Sequence, residues 1–180
     1  MRNRKEEIMI VALHLFARDG YEAVSVSQIA GELDMTKGAL YRHYKSKRDI
    51  FDCIVQRMEQ RDGEQAEEYD MPQEEKEKMP EQYEAVSLDD FASSFRKMLT
   101  IEQFRSEEMQ KLYQQYLVAG PASYVKALFE SIGIVNAKDK AARFYAVMHF
   151  YYSLYDGAAD KEKVKVEFVS AIKSLVQDLA

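Results

Sequence analysis

SVSQIAGELDMTKGALYRHYKSK, residues 25–47, is the stretch that decides the fold. Ser25 followed three residues later by Gln28 has the pattern of a capping box, in which the hydroxyl and the amide side chain satisfy backbone amides that a helix start leaves open. Val26, Ile29, Ala30 and Leu33 then give a short helix one apolar face. Asp34 and Met35 leave room only for a sharp turn, and Thr36 is placed to cap a second helix. At about 100° per residue, Leu40 and Tyr44 share the inner side of that helix. Gly38 and Arg42 point the opposite way, flanked by Ala39 and Tyr41.

The neighbouring segments complete a small helical unit. Upstream, Ile8, Val11, Ala12, Leu15 and Phe16 follow the spacing of one buried helical face, and Gly20 is suited to end that helix. Downstream, Ser46–Asp49 repeats a cap-like start, and Ile50, Phe51, Ile54, Val55 and Met58 continue as a fourth amphipathic helix. Cys53 in that helix reads as a small buried or half-buried hydrophobe.

A short capped helix, a tight turn and a second basic helix form the pattern of a helix-turn-helix that lies in the major groove of DNA. The charge distribution agrees. The chain of 180 residues carries a net charge of -6, but residues 1–50 hold nine Lys/Arg against seven Asp/Glu, and the remainder holds sixteen against twenty-four. Between Thr36 and Arg48 stand Lys37, Arg42, Lys45, Lys47 and Arg48 with no acid. A basic patch on an acidic protein points to a polyanion partner. Glycine and alanine allow close approach to DNA, Arg42 has the fork that matches guanine, and a tyrosine hydroxyl can donate to phosphate.

On these residues, YEAVSVSQIAGELDMTKGALYRHYKSKRDIF together with IMIVALHLFARDG resembles the N-terminal DNA-binding domain of TetR-family transcriptional regulators. The resemblance covers about the first quarter to third of the chain. It implies that Thr36, Lys37, Gly38, Tyr41, Arg42, His43 and Lys47 line a DNA interface, with Ser27 nearby. It also implies a C-terminal helical domain that dimerises through its last two helices and encloses a ligand pocket. Two positions depart from the family pattern: Asp34 occupies a turn position often held by glycine, and Ser27 stands where arginine is frequent. Gly31 within the second helix costs about 1 kcal/mol relative to alanine.

The rest of the chain reads as helix throughout. Between Glu64 and Glu84 nine acids, two lysines, Pro72 and Pro80 mark a loop or linker, and a lid over a pocket is one use for it. Helical periodicity resumes at SLDDFASSFRKML and is expected to run on through TIEQFRSEEMQKLYQQYL. Gly120 and Pro121 are expected to end one helix and open the next, and Gly133 to close it. Two long helices, roughly residues 138–157 and 160–179, finish the chain. FYAVMHFYYSLY, residues 144–155, is apolar or aromatic on nearly every side, which implies burial all round. The final helix carries Val164, Phe168, Ile172, Leu175 and Leu179 as one stripe.

The expected architecture is therefore all-α. A three-helix helix-turn-helix DNA-binding domain spans residues 1–48, and a helical ligand-binding and dimerisation domain spans residues 49–180. Seven of the twelve tyrosines lie between Tyr113 and Tyr155. Tyrosine supplies both an apolar wall and a polar tip, so Tyr113, Tyr116, Tyr145, His149 and Tyr152 are candidates for a pocket taking a small apolar or aromatic effector. A Tyr-rich stripe is more often core than pocket, and His149 among apolar neighbours reads first as a hydrogen-bonded core histidine. His14, between apolar neighbours, is a surface or hydrogen-bonded histidine. Three scattered histidines and one cysteine offer no metal-binding signature, no cofactor motif and no catalytic constellation. A single cysteine fits a reducing compartment, and the N-terminal apolar run is too short for a signal peptide or a membrane span, so the cytoplasm is expected. Two functions compete: a homodimeric, ligand-responsive regulator, a repressor, bound to a palindromic DNA operator; or a helical protein-interaction module whose helix-turn-helix no longer reads DNA.

Overall fold

The computed structural model of the chain describes residues 3–68, with side chains to residue 62, and residues 87–178. These residues are all-helical, with no strand among them. They divide into two compact units: residues up to 68 together with Ser94–Glu102, and residues 87–93 together with 103–178.

The first unit contains α1 (Arg4–Asp19), α2 (Val26–Glu32), α3 (Lys37–Leu40) and α4 (Lys47–Glu68). α1 packs on α2 and α4, and α2 packs on α3. Each start is capped as the sequence requires. Asn3 accepts from the Lys5 amide, and Ser25 and Gln28 form both bonds of the capping box. Thr36 accepts from the Ala39 amide and Ser46 from the Asp49 amide. Gly20 ends α1 at φ 86°, and Asp34 makes the turn at φ 50°, the left-handed conformation that Asp reaches more readily than most residues. Ile8, Ala12, Leu15, Phe16, Ile29, Leu40, Ile50, Phe51 and Ile54 are buried. Because α4 contributes Ile50, Phe51 and Ile54 to this core, the unit extends beyond the three-helix domain expected at residues 1–48.

α5 (Asp90–Glu102) is capped by Asp89, whose carboxylate accepts from the Ala92 amide at 2.7 Å. Ala92, Ser93, Ser94, Phe95, Arg96, Met98, Leu99 and Glu102 are all buried, so this helix buries polar as well as apolar residues, with Asp90, Thr100 and Ile101 left exposed. It does not run on into the next segment as expected. The helix stops at Glu102, and Ser106 caps α6 (Glu107–Tyr113) by accepting from the Met109 amide.

The expected break at Gly120 is absent. α6 widens into one π-helical turn (Gln114–Val118) and continues as α7 (Ala119–Ser131). The physical cause lies in Gly120 and Pro121. A Cβ at residue 120 would overlap the Gln115 carbonyl, so only glycine fits this turn. Pro121 has no amide to offer the Leu117 carbonyl four residues earlier, and the Tyr145 hydroxyl donates to that carbonyl instead, at 2.6 Å. Gly133 closes α7 at φ 77°, as expected.

α8 (Ala137–Gly157) and α9 (Lys161–Gln177) are the two long terminal helices. α8 packs on both α7 and α9. Leu88, Tyr145, Met148, Tyr152, Tyr155, Val164, Phe168 and Ile172 form one core, and Val125, Phe129, Ala137 and Ala141 form a second. Burial of α8 all round is not observed: Phe150 is 56% exposed and Leu154 39% exposed. Within the chain, α8 packs two partners rather than a complete surround, and this outer face is left uncovered. The stretch expected as a lid lies outside the described residues from residue 69 onward.

Candidate DNA-binding surface

Leu40 and Tyr44 anchor the recognition segment. Both are buried, and the Tyr44 hydroxyl donates to the Lys5 carbonyl at 2.9 Å, while the Lys5 ammonium lies 5.2 Å from the centre of its ring. Burial pushes the Tyr44 phenol well above its ordinary range, which keeps it a donor. From the other end of the motif, Arg4 donates to the Leu33 carbonyl at 2.9 Å. The first turn of α1 therefore ties down both the turn after α2 and the turn after α3. Sequence reasoning missed these two tethers, because nothing local to Arg4 or Lys5 announces a partner 29 or 39 residues away.

With the inner side fixed, the outer side is determined by helical phase. Thr36, Lys37, Gly38, Tyr41, Arg42 and His43 are exposed together. The Lys37 ammonium lies 5.8 Å from the Tyr41 ring centre, and among the described residues Arg42 and His43 make no ion pair. Gly38 is informative. A Cβ there would meet only the Thr36 hydroxyl, at 4.0 Å, so the fold itself does not require glycine at this position. Its missing side chain lowers the outer surface, where an incoming backbone would lie. Ser27 is also exposed, on α2.

Lys47 is placed differently from the others. Its ammonium donates to the Tyr21 carbonyl at 2.7 Å and the Glu22 carbonyl at 3.3 Å, and it sits 4.3 Å from the Tyr21 ring centre. Of the remaining cations in the basic run, Arg48 pairs with Asp52 at 2.6 Å. Lys37 and Arg42 are thus the exposed cations of the recognition segment itself, with exposed Lys45 just beyond it. Cys53 is half-buried on α4, and burial raises its thiol pKa, so it stays a neutral hydrophobe.

Residues 8–54 match the family described as bacterial regulatory proteins, tetR family. This segment is thus a DNA-binding domain of the tetR-family type. Among curated relatives of this chain, the HTH-type transcriptional regulator YerO of Bacillus subtilis is 43% identical over 47 residues, which is 26% of this chain and 16% of YerO. An HTH-type transcriptional regulator of Staphylococcus aureus is 25% identical over 162 residues, 88% of this chain and 71% of that one. The nucleoid occlusion factor SlmA of Escherichia coli is 37% identical over 59 residues, 32% of this chain and 30% of SlmA. The chain thus spans less than a third of YerO and of SlmA. In fold it is similar to a transcriptional regulator from Aquifex aeolicus, with a TM-score of 0.64 at 20% identity over 96% of this chain and 99% of the other. A TetR-family regulator from Pectobacterium atrosepticum gives a TM-score of 0.59 at 17% identity over 99% and 97%.

The candidate pocket residues lie on two segments of the second unit. Tyr145, His149 and Tyr152 share α8, with the Tyr145 and His149 rings 6.0 Å apart. Tyr145 and Tyr152 are buried in the main core, and the Tyr152 ring lies 6.1 Å from Phe168. Tyr113 and Tyr116 are half-buried at the end of α6 and in the π turn. The bond from Tyr145 to Leu117 brings that turn to α8. No three His, Cys, Asp or Glu side chains among the described residues are grouped to hold a metal ion, and no helix among them is long and apolar enough to cross a membrane.

Proposed function

We propose that this TetR-family protein is a cytoplasmic, homodimeric transcriptional repressor that binds a palindromic operator through Lys37, Gly38, Tyr41, Arg42 and His43, and leaves it when a small apolar or aromatic effector binds. The observation that carries the reading is the outward group on α3 and the turn after it, held in phase by buried Leu40 and Tyr44 and containing a glycine that the fold does not need. Arg42 reads a base edge, Lys37 neutralises a phosphate, His43 contacts another, and Ser27 and the Thr36 cap lie beside them. Lys47 contributes its backbone amide at the start of α4 while its ammonium holds the Tyr21 turn.

Support for a dimer comes from the outer faces of α8 and α9, where Phe150, Leu154, Val166 and Val176 are exposed. A two-fold axis pairs one such face with its copy. Two recognition segments then meet half-sites about 34–36 Å apart, or a multiple of that. Support for an effector site in the second unit comes from its Tyr-rich helices and from Ser93, whose buried hydroxyl makes no hydrogen bond. Such a molecule lowers operator affinity only by binding the non-fitting arrangement better.

The test is selection of duplexes from a random-sequence library with the wild-type protein, followed by titration of the selected duplex. A Tyr41→Ala/Arg42→Ala double variant is expected to lose most of the affinity. Arg42→Ala alone relaxes preference at one base pair by about 1–3 kcal/mol, and Lys37→Ala flattens the dependence of binding on salt. Wild-type affinity from the double variant rules this surface out. Enrichment of no duplex from the library by the wild-type protein favours the interaction-module reading.

A further inference from the structure

We infer that Glu102 is a positioning residue for the DNA-binding surface, acting through the Tyr21 backbone and the Lys47 ammonium. The inference rests on the reading of that surface given above. Glu102 ends α5 and is 1% exposed. Carboxylates are rarely buried so deeply, and burying one costs far more than leaving a turn amide to water. Here one carboxylate oxygen accepts from the Tyr21 amide at 2.9 Å, across 81 residues of sequence.

Tyr21 is held through both its backbone and its ring. Its amide meets the Glu102 carboxylate and its carbonyl meets the Lys47 ammonium, so opposite charges grip the two ends of one residue's backbone. Bonds of this charge-assisted kind are shorter and stronger than neutral ones. The Tyr21 ring packs edge-on against Phe16 and Phe51, 5.1 Å from each, and lies against the Lys47 ammonium. Tyr21 follows Gly20, where the left-handed turn after α1 would otherwise be free to pivot. Lys47 is the first residue of α4, three residues beyond the buried Tyr44. Fixing the Tyr21 turn therefore fixes the ammonium of Lys47, the start of α4 and the end of the recognition segment together. Ser94–Glu102 is the part of α5 that groups with the first unit, which makes this helix end a component of the DNA-binding unit that its own sequence span, residues 8–54, does not contain.

The experiment compares Glu102→Met, Glu102→Gln and the wild-type full chain in two measurements. The first is amide hydrogen exchange of Tyr21 without DNA, with Leu13 and Phe16 amides as controls for general loosening. The second is affinity for the duplex selected by the wild-type protein. For Glu102→Met, exchange at Tyr21 rises about tenfold or more beyond any change at the controls, and DNA affinity falls about tenfold. Glu102→Gln keeps an oxygen acceptor and stays within about threefold on both measures. Unchanged Tyr21 exchange in Glu102→Met overturns the proposal. So does wild-type DNA affinity in a Glu102→Met protein whose Tyr21 amide has been freed, and if Tyr41→Ala/Arg42→Ala still abolishes binding, the surface reading survives that outcome. Wild-type affinity of the double variant instead overturns the surface reading and this inference with it. Should Glu102→Met fail to fold, Glu102→Gln decides alone: replacing a charged acceptor by a neutral one must shift the Tyr21 amide proton resonance, and an unmoved resonance overturns the contact.

Discussion

The two units differ in what starts and stops their helices. In the first, a side chain two or three residues away does it: Asn3, Ser25, Thr36 and Ser46 each accept from an amide of the helix they open. In the second, Ser106 and Asp160 act the same way at α6 and α9, but the centre does not follow this pattern. α7 has no side-chain cap, and it continues from a π turn completed by Tyr145 from 28 residues away. α8 starts on Asn136 in the left-handed conformation at φ 57°, again without a side-chain cap. The helix starts of the DNA-binding unit are locally encoded, while those at the centre of the second unit depend on contacts between elements. Local devices are worth about 1 kcal/mol each, and buried long-range ones several times more, so mutations in the two units should separate by size.

The largest effect is expected from Phe168→Ala, which empties the centre of the main core beside Tyr151 and Tyr152. Urea unfolding should show a loss of about 3–5 kcal/mol. Gly120→Ala drives a methyl group into the Gln115 carbonyl and should cost about 1–3 kcal/mol, although alanine is the better helix former. A neutral or stabilising result would mean that the π turn relaxes to regular helix. Tyr145→Phe keeps the ring and strands the Leu117 carbonyl that Pro121 cannot serve; about 1–2 kcal/mol should be lost in the same unfolding measurement. The smallest change is expected from Thr36→Ala, which removes an exposed cap at a cost of about 1 kcal/mol and is read by chemical denaturation. If Thr36→Ala proves as costly as Tyr145→Phe, the contrast between the units fails.

The same contrast explains what was legible. Residues 25–44 announced both helices, the turn and the outward set, because a cap and its amide are three residues apart and a helical face repeats every three or four. Asp34 in the turn was legible for the same reason. The grip on the Tyr21 turn was not: Lys47 reads as a phosphate contact from its place in a basic run, and only folding shows its ammonium on two carbonyls. Glu102 carries no signal at all, since a glutamate at the end of an amphipathic helix is ordinarily solvated. Composition also misled at α8, which is rich in aromatics yet leaves Phe150 and Leu154 exposed, and it gave no sign that Ser93, Ser94, Arg96 and Glu102 of α5 are buried.

The sequence by itself determined an all-helical chain, the capped helix-turn-helix, its inner and outer faces and its resemblance to the TetR-family DNA-binding domain. Each of these follows from periodicity and from interactions between residues at most a few positions apart. Tertiary structure alone decided that Gly120 and Pro121 make a π turn rather than a break, and that Tyr145 completes it. It also decided which face of α8 stays open and that Glu102 holds Tyr21. Tyr145 and Glu102 reach partners 28 and 81 residues away, and the energy comes from burial and from satisfying a polar group that burial would otherwise strand.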